Sequence, residues 1–246
     1  MSNTPRGARA RARIEVTGAI KDVARAQLAA EGAAKLSLRA VARELGMASS
    51  AIYRYFPSRD DLLTALIIDA YNALGEAAEA AHDAAADAGP TRRWTVVCEA
   101  VRAWALAHPH EYALIYGSPV PGYTAPVDTV PVAARVAHVF MSILRDAHRG
   151  PGLAKPPLPA ELRTEAHRMA ADFAPDLPPE TVAAFTAAWA ELFGLVGFEV
   201  FGQFNRVVDD RETFFRHAAE RLAHAVGLVF PSLPSAGEAP LTRTEP

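Results

Sequence analysis

The chain has 246 residues, half of them hydrophobic and 22% charged, with a formal net charge of −3 at pH 7. That length suits a small module joined to a larger one with a real core, and no apolar run approaches the roughly 18 residues a membrane span needs. The basic start M-S-N-T-P-R-G-A-R-A-R-A-R lacks the apolar stretch of a secretory signal peptide, and the lone Cys98 forbids an intramolecular disulfide, so a reducing cytoplasm is the expected setting.

Apolar residues recur at helical spacing and strand signals are almost absent, so the expected class is all-α. A first helix is expected from about Ala8 to Glu31, with Val16, Ile20, Val23 and Leu28 on its inner face and Gly32 closing it. Two short helices follow, about Leu38 to Leu45 and Ser50 to Phe56, then a long one from Arg59 to about Ala86. Leu62, Leu63, Leu66, Ile67, Ala70, Tyr71 and Leu74 form its apolar stripe. Beyond Gly89-Pro90, helices are expected at about 91–108, 110–116, 129–148, 159–173, 179–204 and 210–229. Residues 117–126 read as a loop, and 231–246 have too little to bury to be ordered.

The net charge hides an asymmetry. Residues 1–59 carry eleven Lys and Arg against four acids, +7, which leaves −10 for the remainder. A basic head on an acidic body points to a polyanion-binding module attached to something that is not one.

The two short helices supply geometry for such a module. Ser37 is a good N-cap for the first, and Gly46 has the backbone freedom that the turn requires. On the second, Ile52 and Phe56 share an inner seam, with Tyr53 and Tyr55 about 80° to either side if the residues advance by about 100°. The opposite arc holds Ser50, Ala51 and Arg54, small enough to let a helix enter a major groove. Pro57 ends that helix, and Ser58-Arg59-Asp60-Asp61 matches a capping box for the next. Arg59 is out of place, because a cation opposes the positive end of the helix dipole. A bound phosphate would resolve the conflict.

The run L-S-L-R-A-V-A-R-E-L-G-M-A-S-S-A-I-Y-R-Y-F-P-S-R-D-D-L-L, Leu36 to Leu63, resembles the DNA-binding domain of the tetracycline-repressor (TetR) family of transcriptional regulators. The resemblance implies an all-α homodimer with an N-terminal three-helix helix-turn-helix domain and a larger helical ligand-binding and dimerising domain. It implies that Ser37, Arg39, Ala48, Ser49, Ser50, Tyr53, Tyr55 and Arg59 lie at the double-stranded DNA, the tyrosines and Arg59 on phosphates and the two serines nearer to bases. The expected division is 8–58 for the DNA-binding domain, 59–86 for the connecting helix and 87–230 for the body.

In the body, A-W-A-E-L-F-G-L-V-G-F-E-V-F-G-Q-F, Ala188 to Phe204, resembles a TetR subgroup named for a Trp-His-Gly pattern, with Phe193 standing where that pattern has His. Trp189, Phe193, Val196 and Val200 make one stripe, and Phe215, Leu222 and Val226 lie on another. Two such helices suit a four-helix dimer interface, or an intramolecular core. Candidate pocket residues are Trp94, Trp104, Tyr112, Tyr116, Phe140, Phe173 and Trp189, and an apolar effector suits the scarcity of charge on these faces. His108-Pro-His110-Glu111 is weak as a metal site because the proline breaks the face that would align ligands. No Gly-rich phosphate loop or G-x-S-x-G occurs, so neither enzyme nor cofactor is expected. The principal reading is a ligand-responsive regulator, usually a repressor, on a palindromic operator. The alternatives are a DNA-binding regulator without an effector and a small-molecule enzyme or carrier with a vestigial head.

Overall fold

The first helix, α1 (Pro5–Glu31), turns Ile20, Ala24 and Leu28 into the core, with Val16 and Val23 at the edge of that face. A computed structural model describes residues 5–229, so the tail expected from 231 onward lies outside the described residues. Gly32 closes α1 at φ 80°, a left-handed conformation that favours glycine. After one 3-10 turn at Ala33–Lys35 comes α2 (Leu38–Glu44), capped by Ser37, whose Oγ accepts from the Ala40 N–H at 3.4 Å. Helix α3 (Ser49–Ile52) is shorter than expected. Pro57 holds Phe56 out of the helical region, and the chain tightens before it, with Tyr55 N–H donating to Ile52 O at 2.9 Å. Helix α4 (Arg59–Ala84) begins at Ser58, whose Oγ accepts from the Asp61 N–H at 3.1 Å.

The remaining helices are α5 (Pro90–Ala107), α6 (Pro109–Tyr116), α7 (Val130–Ala133), α8 (Arg135–Arg149), α9 (Arg163–Phe173), α10 (Pro179–Val200) and α11 (Arg211–Ala225). The single helix expected over 129–148 is divided at Ala134. Immediately after that break, Arg135 donates from Nε and Nη2 to the Glu79 carboxylate (2.9 and 2.7 Å) and from Nη1 to Asn72 O (3.0 Å). Gly75 makes room for it, since a Cβ there would sit 2.7 Å from Arg135 Nε. Helix α10 stops short of Phe204 because Gly202 (φ 82°) turns the chain, and Arg206 (φ 62°) turns it again. Helix α11 stops short of Val229 at Gly227 (φ 95°), and Leu228 then forms an antiparallel bridge with Leu153.

Two apolar cores result. The head core gathers Ile20, Leu28, Val41, Ile52, Phe56, Leu62, Leu63 and Leu66, and the body core gathers Leu74, Trp94, Val101, Phe140, Ile143, Leu192, Val196 and Leu222, among others. Arg102 crosses the edge of the body core, gripping Glu199 at 2.6 Å from both Nε and Nη2. By length and composition α10 could cross a membrane, more than the sequence reading allowed, but Thr181, Val182, Phe185, Ala188, Leu192, Phe193 and Val196 are buried.

Phe140 is sealed against Trp94, ring centroids 4.4 Å apart, whereas Phe173 is 69% exposed. Phe140→Ala should therefore cost about 3–5 kcal/mol in urea unfolding, and Phe173→Ala should stay within about 0.5 kcal/mol of the parent.

Candidate nucleic-acid interface and effector cavity

Most of the residues expected at the DNA lie on the surface of the head. Ala48, Ser49, Ser50, Arg54 and Arg39 are exposed, and Tyr53 is 43% exposed. Ser37 is half-buried and occupied as the α2 cap. Tyr55 is also half-buried, with the Arg13 guanidinium 5.4 Å above its ring. Arg13 additionally donates to Arg54 O at 3.3 Å, tying α1 to the end of the α3 segment. The sequence reading did not foresee these contacts of Arg13. Its only signal was membership of the basic N-terminal run, because its contacts lie 41 residues away.

Arg59 is placed differently from the expectation. Its Nη2 donates to Ala33 O at 2.9 Å and more weakly to Ala34 O at 3.4 Å, and its Nη1 lies 3.2 Å from Asp60 Oδ1. The carbonyls belong to the 3-10 turn before α2. A cation at the start of α4 thus has partners inside the protein, and the broken dipole rule requires no outside anion.

The head is fastened to the body by a cluster of ion pairs. Asp69 on α4 takes Lys21 (2.8 Å) and Arg25 (2.7 Å) from α1, and Arg25 Nε reaches Glu111 on α6 at 3.1 Å. A cavity of about 660 Å³ is lined by α4, α6, the 117–125 loop, the α7–α8 segment, Phe173 and Trp189. Of the seven expected pocket residues, Phe173 and Trp189 line it. Trp94, Trp104, Tyr112 and Phe140 are instead buried in the body core, and Tyr116 stacks on Phe193 at 4.1 Å without entering the wall. Side-chain size alone marked them, and size does not distinguish core from lining. His108 of the discarded metal motif stacks on Trp104 at 5.2 Å.

Polar wall groups went unpredicted. Tyr71 Oη donates to Ile115 O at a long 3.4 Å, Tyr123 Oη shares a 3.0 Å hydrogen bond with Thr64 Oγ1, and Thr129 Oγ1 donates to Pro126 O at 2.7 Å. Burial, and secondarily the neighbouring Tyr123, pushes the Tyr71 phenol above its ordinary value, so it stays protonated. A smaller cavity of about 430 Å³ lies on the head side of the same loop, between Gly32-Ala33-Ala34 and Ser118-Pro121.

Residues 20–66 match the signature described as bacterial regulatory proteins, tetR family, and residues 94–222 match the tetracyclin repressor-like C-terminal domain. The chain belongs to the TetR family. The HTH-type transcriptional regulator Rv1816 of Mycobacterium tuberculosis is 39% identical over 201 residues, spanning 80% of this chain and 86% of the relative, and Mb1846 of Mycobacterium bovis matches to the same extent. The solved structure of SCO4313, described as a regulatory protein, superposes with a TM-score of 0.71 at 35% identity, over 87% of this chain and 98% of that one. A TetR family regulator from Shewanella sp. PV-4 shares the fold at 18% identity, with a TM-score of 0.55 over 87% of this chain and 98% of its own. The C-terminal match is coarser than the Trp-His-Gly subgroup.

This TetR-family helix-turn-helix transcriptional regulator has DNA as its partner. Its expected dimer stripes nevertheless face inward: Phe193, Val196, Phe215, Leu222 and Val226 are buried within the protomer, and Val200 is packed against the same core. The outward face of α10 is a second stripe, Ala187, Ala190, Gly194, Phe198 and Phe201. Phe198, Phe204 and Phe214 continue it as a chain of rings, with centroids 5.7 and 5.6 Å apart.

For Arg59→Ala, the loss of its carbonyl partners should lower stability by about 1–2 kcal/mol. Its logarithmic salt slope for DNA binding should match the parent; a slope reduced by about one unit would mark Arg59 as a phosphate contact instead.

Proposed function

We propose that the chain is an effector-responsive repressor that binds a two-fold symmetric operator as a homodimer and is released by a small, largely apolar molecule. The observation that carries this reading is the position of the 660 Å³ cavity. Its wall includes Tyr71, Val120 and Tyr123, which also pack against the head core. A molecule in that cavity therefore touches groups on which the placement of the head depends.

Operator reading is assigned to Ser49 and Ser50 at the exposed N-terminal end of α3, with Tyr53, Arg39 and Arg54 at its flanks. Dimerisation is assigned to the outward faces of α10 and α11. A Cβ on Gly194 would meet nothing within 4 Å in the protomer, so this site can admit a partner helix closely.

Purified protein should enrich genomic fragments containing palindromes whose half-sites lie about one helical turn or a multiple apart. Candidate small molecules should then release them, and fragments held equally with and without every compound would count against effector control. Gly194→Leu, which adds bulk only at the outward face, should shift the mass in sedimentation equilibrium from dimer toward monomer. An unchanged dimer would move the interface elsewhere.

A further inference from the structure

We propose that the cavity takes a neutral aromatic molecule bearing a hydroxyl group, and that Tyr123 is the residue through which its occupancy reaches the head. The inference rests on the effector-controlled reading above and names the class of effector.

Charge selects first. Among the described residues that line the cavity, none is Lys, Arg, His, Asp or Glu. A carboxylate or ammonium group seated against this wall would give up part of its hydration with no counter-charge to replace it. Tyr71, kept protonated by burial, offers no compensation for either sign.

Shape selects next. Tyr71, Tyr123, Phe173 and Trp189 supply four rings, while Ala133, Ala134 and Ala137 keep the α7–α8 wall low. A volume of about 660 Å³ falls within the range of about 300–1,000 Å³ typical of small-molecule sites. Phe173 stands exposed at the end of α9, a helix that buries only Ala166 and Ala170. It is placed to cover a planar ligand without disturbing the core.

The polar groups select the hydroxyl. Tyr71 Oη reaches Ile115 O at 3.4 Å, longer than a good O–H···O bond, and so has a weak partner to give up. Tyr123 Oη has one partner, Thr64 Oγ1, and a phenol both donates and accepts. A ligand hydroxyl, itself donor and acceptor, complements both.

Coupling follows from the shared partner. Thr64 lies in the part of α4 whose Leu62, Leu63 and Leu66 form the head core, and Tyr123 is packed against that core. A ligand hydroxyl bonded to Tyr123 Oη draws on the same phenol that Thr64 shares, so its position favours some placements of the Tyr123–Thr64 pair over others. That preference gives the ligand different affinities for two placements of the loop, which is what a ligand-driven shift requires.

The test titrates the full-length protein with 2-naphthol, naphthalene and 2-naphthoate, alone and with its selected DNA fragment. Naphthol should bind about tenfold tighter than naphthalene, the worth of one neutral hydrogen bond, and naphthoate should bind weakest. Tyr71→Phe and Tyr123→Phe should each shrink the naphthol preference while leaving naphthalene affinity in place; Phe173→Ala should weaken both ligands. Naphthol should release DNA from the parent, and in Tyr123→Phe the ratio of DNA affinities with and without naphthol should fall to near one. Failure of all three probes to bind, equal binding of naphthoate, or a naphthol preference indifferent to both Tyr→Phe changes would overturn the ligand class. If naphthoate alone releases DNA, effector control stands and the class falls. If naphthol binds with the expected preferences but DNA affinity never changes, the class stands, and both the Tyr123 coupling and effector control fall.

Discussion

Two hydrophobic cores share one helix. The 26 residues of α4 make a rod of about 39 Å at roughly 1.5 Å per residue, and one apolar stripe along it serves both cores in turn. Leu62, Leu63, Leu66 and Ile67 close the head, while Ala70, Leu74 and Ala78 close the body. Rotating the rod to improve one core would spoil the other, so the orientation of α2 and α3 is tied to packing in the body. Arg135, seated over Gly75 and holding Glu79 and Asn72, fixes the rod from the body side. Lys21 and Arg25 fix it from the head side through Asp69.

The loop after α6 is a second connection between head and body. Gly117 starts it at a point where a Cβ would meet Ala113 O at 2.2 Å, so only glycine leaves the helix by this path. Val120 and Tyr123 then lie against the head core, while Gly117, Ser118 and Ala125 form cavity wall. A stiff rod alone would hold the head still. On the proposed reading, repacking of this loop beside the rod would give the head a second placement.

The parts of this arrangement legible in the sequence are those written in local rules. Ser37 and Ser58 as caps and Gly32 and Gly46 at left-handed turns depend on neighbours a few residues away, and each stands where the spacing put it. The all-α class followed from helical periodicity and the near absence of strand signals, and the family from the run Leu36 to Leu63. Contacts over longer separations were not legible. The partners of Arg59 lie 25 and 26 residues back, and no spacing rule reaches that far. The faces of α10 stayed ambiguous for a different reason. Both carry apolar residues, so periodicity finds two stripes and cannot choose which is inward.

That double stripe connects the body to the operator on the proposed reading. An apolar face beyond what the core uses marks an interaction surface, and Ala187, Ala190 and Gly194 narrow this one enough for close approach by an identical helix. If two copies meet there, the distance between their heads is set by the angle of each α4 to that face, and a palindrome with fixed half-site spacing accepts only a narrow range of that distance. Releasing DNA then needs no unfolding of the head. A loop shift at Tyr123 that lets α4 tilt slightly is magnified along the rod, and two heads correct for two half-sites become wrong for both.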